Sequence, residues 1–257
     1  MSHYTPTTPM VSVLLASHDA EKTVRRCVES LQGQTLGNFE LIAVDAGSSD
    51  GTVRQLDALS ERDMRIEAVH ADGCSRAEAL DLALGRARGT YVLVMDEDGW
   101  ADRTMLEDLV GMAEKDALEM VVGGFALTLG APDGRRSEAM VCAERAVYPL
   151  QHDFRAGAWE LFAEGLLLPT CAKLFSRALL ERCGARFSVG GRFGHSFVLA
   201  CLGDVERVGV LGESRYHVTR RLPVASGSAF VERCYHRLDE GHTDLLGLYR
   251  HWGLEGD

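Results

Sequence analysis

Four short, largely apolar runs occupy residues 11–16, 39–44, 65–69 and 90–95, each separated from the next by a stretch with helical spacing. Runs of this length without strict alternation predict strands covered on both faces. Between the first two, Val24, Cys27, Val28 and Leu31 fall at i, i+3, i+4 and i+7, predicting a helix over 20–32 with Ser17 and Asp19 as candidate N-caps. Further helices are expected over 52–60, over 75–87 with Ala77, Leu80, Leu84 and Ala87 on one side, and over 102–116. Repeated strand–helix units imply right-handed crossovers. The expected class is therefore α/β, a doubly wound, mostly parallel (mixed) sheet with helices on both faces.

The second half is less periodic. Gly123-Gly124 interrupts an apolar run over 120–129, and Ala131-Pro132-Asp133-Gly134 has the composition of a turn between two strands. Residues 138–168 mix Tyr148, Phe154, Trp159 and Phe162 with charges, as loops and helices around a variable pocket would. The segment 172–183 is helical toward its end, 205–211 is a strand candidate, and 228–249 has the spacing of a closing helix.

In a doubly wound sheet, ligands sit beyond the carboxyl ends of the strands. Three polar strand ends, Ser17-His18-Asp19, Asp45 to Ser49 and Asp96-Glu97-Asp98, would converge there. Asp96 and Asp98 follow a buried run directly and suit a hard cation, Mg²⁺ or Mn²⁺, able to neutralise a diphosphate. No G-x-G-x-x-G follows the first strand and no G-x-x-x-x-G-K-[ST] occurs, which sets aside ordinary dinucleotide and P-loop sites.

Composition narrows the class further. At 257 residues and 46% hydrophobic, the chain can bury a large single core. A net charge of −11 argues against nucleic acid as a partner. Cys27, Cys74, Cys142, Cys171, Cys183, Cys201 and Cys234 are scattered without a C-x-x-C pair, as free thiols of a reducing cytosol are. Residues 1–9 are polar and rich in Pro and Thr, a disordered lead without the character of a signal peptide. No apolar run reaches transmembrane length, so a soluble, cytoplasmic protein is expected, with membrane association at most peripheral.

The run VSVLLASHDAEKTVRRCVESLQGQTLGNFELIAVDAGSSDGT resembles the opening signature of the inverting family-two glycosyltransferases, which have the GT-A fold. GCSRAEALDLALGRARGTYVLVMDEDGW is similar to that family's helix, strand and Asp-x-Asp segment. CAKLFSRALLERCGARF resembles its Lys-Leu-Phe helix, and RYHVTRR its closing Tyr-x-x-x-Arg strand. These blocks keep the family's order over residues 10–222.

The resemblance implies a single domain over 10–257: a nucleotide-sugar half over 10–118, an acceptor half over 119–222 and a helical tail over 223–257. It places Ala16, Ser17 and His18 under the base and ribose, Asp45 near the base, Asp96 toward ribose and metal, and Asp98 on the metal. His217 falls where relatives place a late metal or diphosphate contact, and Arg76, Arg220 and Arg221 can face the diphosphate. The implied partners are a nucleotide-sugar donor and a glycan or lipid-linked acceptor. Surface-polysaccharide assembly at the inner membrane face is the implied setting.

Three positions depart from the family pattern. Ala46 replaces the second acid of the Asp-Asp-Gly-Ser loop, which in relatives can pair with a uracil, and Gly99 stands where many relatives carry a third acid. The Gly-Glu-Asp of the family's base reads Gly194-His195-Ser196, so His195, one position off, becomes the candidate base. The alternative expectation is a degenerate relative that binds a nucleotide sugar or a partner without turnover.

Overall fold

The computed structural model describes residues 8–130, 135–187, 194–221 and 228–254. In chain order these form β1 (Val11–Ser17), α1 (Val24–Gln32), β2 (Phe39–Asp45), α2 (Thr52–Ser60), β3 (Ile66–His70), α3 (Arg76–Arg86) and β4 (Tyr91–Asp96). Then come β5 (Trp100–Ala101), α4 (Met105–Lys115), β6 (Met120–Gly130), β7 (Arg136–Val141), β8 (Ala146–Tyr148) and α5 (Gln151–Ala163). The chain closes with β9 (Lys173–Ser176), α6 (Arg177–Cys183), α7 (His195–Asp204), β10 (Val208–Arg221) and α8 (Ser228–His251).

One mixed sheet runs β3-β2-β1-β4-β9-β6-β10-β5, with β7 added to β6 and β8 to β10. Its first four strands are parallel, and β9 enters antiparallel between β4 and β6. Alternate side chains of the central strands feed two separate cores. Leu14, Ala16, Ile42, Val44, Val92 and Val94 pack under α3, α5, α6 and α7. Val13, Leu15, Leu41, Ala43, Leu93 and Met95 pack under α1, α2 and α4. Burial on both faces is why these strands read as unbroken apolar runs rather than alternating ones.

Several local expectations are corrected. Helix α1 begins at Val24 after Thr23, not near 20; Ser17 belongs to β1, and Asp19 takes φ 49° and bonds the next loop instead of capping α1. Gly123-Gly124 does not interrupt β6, which runs unbroken to Gly130; the irregularity lies in β10, as register shifts between Val210 and Tyr216. Residues 205–211 and 215–221 are not separate pieces but mostly one strand, β10. The Pro9 carbonyl accepts the Thr90 N–H, tying the end of the lead to the start of β4. Residues 1–7, the 131–134 turn and the Cys234 side chain lie outside the described residues. Among those described, no helix is long and apolar enough to cross a membrane.

A polar staple sets the register that delivers the acidic end of β4. At the opposite edge of the sheet, buried Ser12 donates to Glu40 at 2.6 Å and accepts the Gly89 N–H at 2.8 Å. Glu40 also accepts from the Arg88 backbone at 2.7 Å and from its guanidinium at 2.6 and 2.9 Å. Burial works against the Glu40 charge, but the Ser12 and Arg88 bonds outweigh it and hold its carboxyl below the usual range. The staple fixes β1 between β2 and β4, aligning Ala16 with Asp96 and Ser17 with Asp45.

Glu40→Ala removes a buried acceptor from four donors and is expected to cost ~2 kcal/mol in urea unfolding. Because its folded pKa is depressed, the wild-type contribution is complete above the unfolded value of ~4.3 and is lost as pH falls through the folded one. The stability difference between wild type and Glu40→Ala should therefore shrink below pH ~4, measured as urea midpoints across that range.

Candidate active site at the carboxyl edge of the sheet

The ends of β1, β2 and β4 meet as the parallel pattern requires, with Ala16 beside Asp96 and Ser17 beside Asp45. Acidic side chains crowd this edge, and most are already engaged. Asp45, fully buried, accepts from the Gly47 and Ser48 N–H groups at 3.1 and 2.9 Å and from the Ser48 hydroxyl at 2.5 Å. It closes its own loop. Asp19 accepts from the Ser49 N–H at 2.8 Å, which holds its carboxyl below the usual range. Asp50 accepts from Thr52 and from the Glu21 N–H, lashing the α2 entry to the segment before α1. His18 is exposed, with Nδ1 3.3 Å from the Ala46 carbonyl. Ser17 Oγ is buried and has no hydrogen-bond partner among the described residues.

Arg76 is the cation at the centre of the edge. It opens α3, whose start is fixed by a capping box between Ser75 and Glu78. Its guanidinium donates to Asp96 Oδ1 at 2.7 Å, to Glu97, and to the Ala16 carbonyl at 3.5 Å. Burial opposes its charge, but Glu97 and Asp96 prevail and push its pKa above the ordinary arginine value. Glu97, the middle residue of the Asp-x-Asp run, was not singled out by the sequence; its pairing with Arg76 spans 21 residues.

A second support comes from β10. The Tyr216 hydroxyl, fully buried, accepts the Asp96 N–H at 2.9 Å and lies 3.5 Å from Asp96 Oδ2. Burial and the neighbouring Asp96 push its pKa well up, so it stays a neutral phenol. A Cβ on Gly99 would overlap that hydroxyl. The chain has glycine here because Tyr216 fills the space a side chain would need.

The next residues of β10 close the loop's far side. His217 stacks on Trp100, ring centroids 3.6 Å apart and 3° from parallel, and its Nε2 bonds Asp102 at 2.9 Å. That commitment leaves Nδ1 as the His217 nitrogen for a ligand. Arg26 donates to the Asp98 carbonyl at 3.1 Å from α1. The side chains of Arg220 and Arg221 lie outside the described residues. Among the described residues, no three His, Cys, Asp or Glu side chains gather as a metal cage.

His195 is the first residue of α7 and is half-buried. Gly194 before it takes φ 75° and packs against Thr170. Thr170 belongs to a segment held from below by Lys173, whose buried ammonium donates to the Leu166 and Pro169 carbonyls. Phe193 lies outside the described residues.

The Tyr216–Gly99 fit generates a test. Gly99→Ala should lower stability by ~1–3 kcal/mol through overpacking, read as a fall in thermal midpoint. Tyr216→Phe, which keeps the ring and loses one hydrogen bond, should cost ~1 kcal/mol.

The sequence profile of the family described as Glycosyl transferase family 2 matches residues 12–184. EpsJ of Bacillus subtilis (strain 168), named an uncharacterized glycosyltransferase, is 24% identical over 256 residues, covering 96% of this chain and 72% of EpsJ. The crystal structure of S. aureus TarS 1-349 in complex with UDP-GlcNAc superposes with a TM-score of 0.64 at 20% identity, covering 85% of this chain and 62% of that one. The mannosyltransferase PcManGT from Pyrobaculum calidifontis, in complex with GDP-Man and Mn²⁺, gives a TM-score of 0.55 at 19% identity over 89% of this chain and 61% of its own. The chain thus spans less than two thirds of either solved chain, and the two likenesses establish the shared GT-A-like fold. With the family profile covering both the Asp45 loop and the Asp96–Asp98 loop, this chain belongs to glycosyltransferase family 2.

Proposed function

We propose that the chain transfers a sugar, with inversion, from a nucleoside-diphosphate donor to a hydroxyl of a glycan or lipid-linked acceptor. The observation that carries this reading is the Arg76-braced acidic loop, set by strand register beside Ala16 and Ser17. A buried hydroxyl without a partner among the described residues, such as Ser17 Oγ, calls for a water or a ligand. The UDP-GlcNAc and GDP-Man in the two solved complexes support a nucleotide sugar as the donor.

The donor set fits a divalent ion of the Mg²⁺ or Mn²⁺ kind. Such ions are commonly bound by one or two carboxylates with substrate phosphates and water completing the shell, so a closed protein cage is not required. Asp98 would hold the ion, with Asp96 contributing Oδ2 because Oδ1 is engaged by Arg76. When bound, it supplies positive charge to the departing diphosphate. The chain's own residues do the rest. Arg76 and Tyr216 keep the loop in one geometry before the donor arrives, the preorganisation on which electrostatic catalysis depends. His195 takes the acceptor proton, as a neutral imidazole near pH 7 can.

Asp98→Asn should weaken Mn²⁺-dependent nucleoside-diphosphate affinity by ~10-fold or more in calorimetry; unchanged affinity contradicts the assigned metal loop. His195→Ala should cut turnover by ~10²–10⁴-fold while donor affinity stays as in wild type. Near-full turnover in that variant removes His195 from the mechanism.

A further inference from the structure

We propose that Asp72 reads the donor's base, accepting a hydrogen bond from a ring N–H flanked by a carbonyl, the group that uracil and guanine share. The inference rests on the donor-site reading above and adds the base contact that Ala46 does not supply.

Asp72 lies just past β3, on the same edge. The Ala71 N–H donates to the Asp45 carbonyl at 2.9 Å, so the chain after His70 continues alongside the 45–48 loop. It passes over Gly47, which takes φ 83°. A Cβ on Gly47 would stand 3.3 Å from the Gly73 nitrogen, 3.4 Å from the Asp72 Cα and 3.7 Å from Asp72 Oδ1. The Asp72 carboxylate therefore overlooks the turn that follows Ala46.

Commitments elsewhere single this group out. Asp45 accepts within its own loop, Asp19 and Asp50 at the turns before α1 and α2, Glu97 pairs with Arg76, and Asp96 gives Oδ1 to Arg76 and is assigned to the metal through Oδ2. Ala46 has no polar side chain, and its N–H goes to the Ser17 carbonyl. Asp72 is exposed and forms no hydrogen bond or ion pair among the described residues.

Charge decides which end of a donor it can face. A nucleoside diphosphate has an anionic end and a neutral heteroaromatic end. The anionic end belongs near Arg76 and the Asp98 loop, and a bare carboxylate would repel it. Asp72 follows β3, three strands from β4 in the order β3-β2-β1-β4, and there it meets the neutral end. A carboxylate there is acceptor-only. It attracts uracil N3–H or guanine N1–H, whereas cytosine and adenine present a lone pair at the corresponding ring nitrogen.

The test is calorimetry on the full chain with Mn²⁺ and UDP, GDP, CDP and ADP, comparing wild type, Asp72→Asn and Asp72→Ala. Wild type should bind UDP or GDP in preference to CDP and ADP, and the better of the first pair identifies the base. Asp72→Asn is nearly isosteric but can donate to a ring nitrogen. It should weaken the preferred nucleotide by ~10-fold and shift preference toward CDP or ADP. Pyrophosphate affinity should be equal in all three proteins, which a general loss of fold would not produce. Wild-type preference for CDP or ADP, or an unaltered ranking in both variants, overturns the proposal. Failure of wild type to bind any of the four would instead remove the donor-site reading on which it rests.

Discussion

The Asp96–Asp98 loop depends on one pairing, the Arg76 guanidinium against Asp96 and Glu97. A strand ending in Asp-Glu-Asp places three like charges within a few residues, and their repulsion in a half-buried setting would spread the loop. A delocalised planar cation with five donors engages two carboxylates and a carbonyl in a fixed fork, a geometry that a lysine's compact ammonium does not impose. The Ser75 capping box aims Arg76 by fixing where α3 starts, and the Ser12–Glu40–Arg88 staple aims Asp96 by fixing how β4 lies against β1.

The acids of the edge divide by task. Asp19, Asp45 and Asp50 hold loops together through backbone N–H groups. Asp45, which the family resemblance sets near the base, shapes the Ala46–Ser48 turn from beneath. That is structural work of a kind sequence similarity does not distinguish from contact. The Asp96–Asp98 loop is held differently, from outside, by Arg76, Tyr216 and Arg26 on three separate elements. Arg76 takes the carboxylates of Asp96 and Glu97, while Tyr216 and Arg26 take the backbone of the loop.

Much of the first half was legible because local rules agree there. Parallel strands buried on two faces give short apolar runs, and β2, α2, α3 and β4 lie within a residue or so of their expected positions. The convergence of three polar strand ends followed from that topology alone. What escaped was set by contacts distant in sequence. Tyr216 reaches Asp96 across 120 residues, and only the folded chain shows that Gly99 yields its side-chain space to that hydroxyl. The two-residue β5 and three-residue β8 carry no periodicity to detect. Likewise Ser17 and Asp19 have ideal N-cap chemistry, yet β1 extends through the first and a left-handed turn removes the second.

The most direct test of the central claim is a crystal structure of the chain with Mn²⁺ and the nucleoside diphosphate it binds, using anomalous scattering to locate the metal. The account predicts a manganese peak within coordination distance of the Asp98 carboxylate, diphosphate oxygens in its shell, and Arg76 still against Asp96. Nucleotide bound at another face, or a metal on the diphosphate without contact to the Asp96–Asp98 loop, would contradict it.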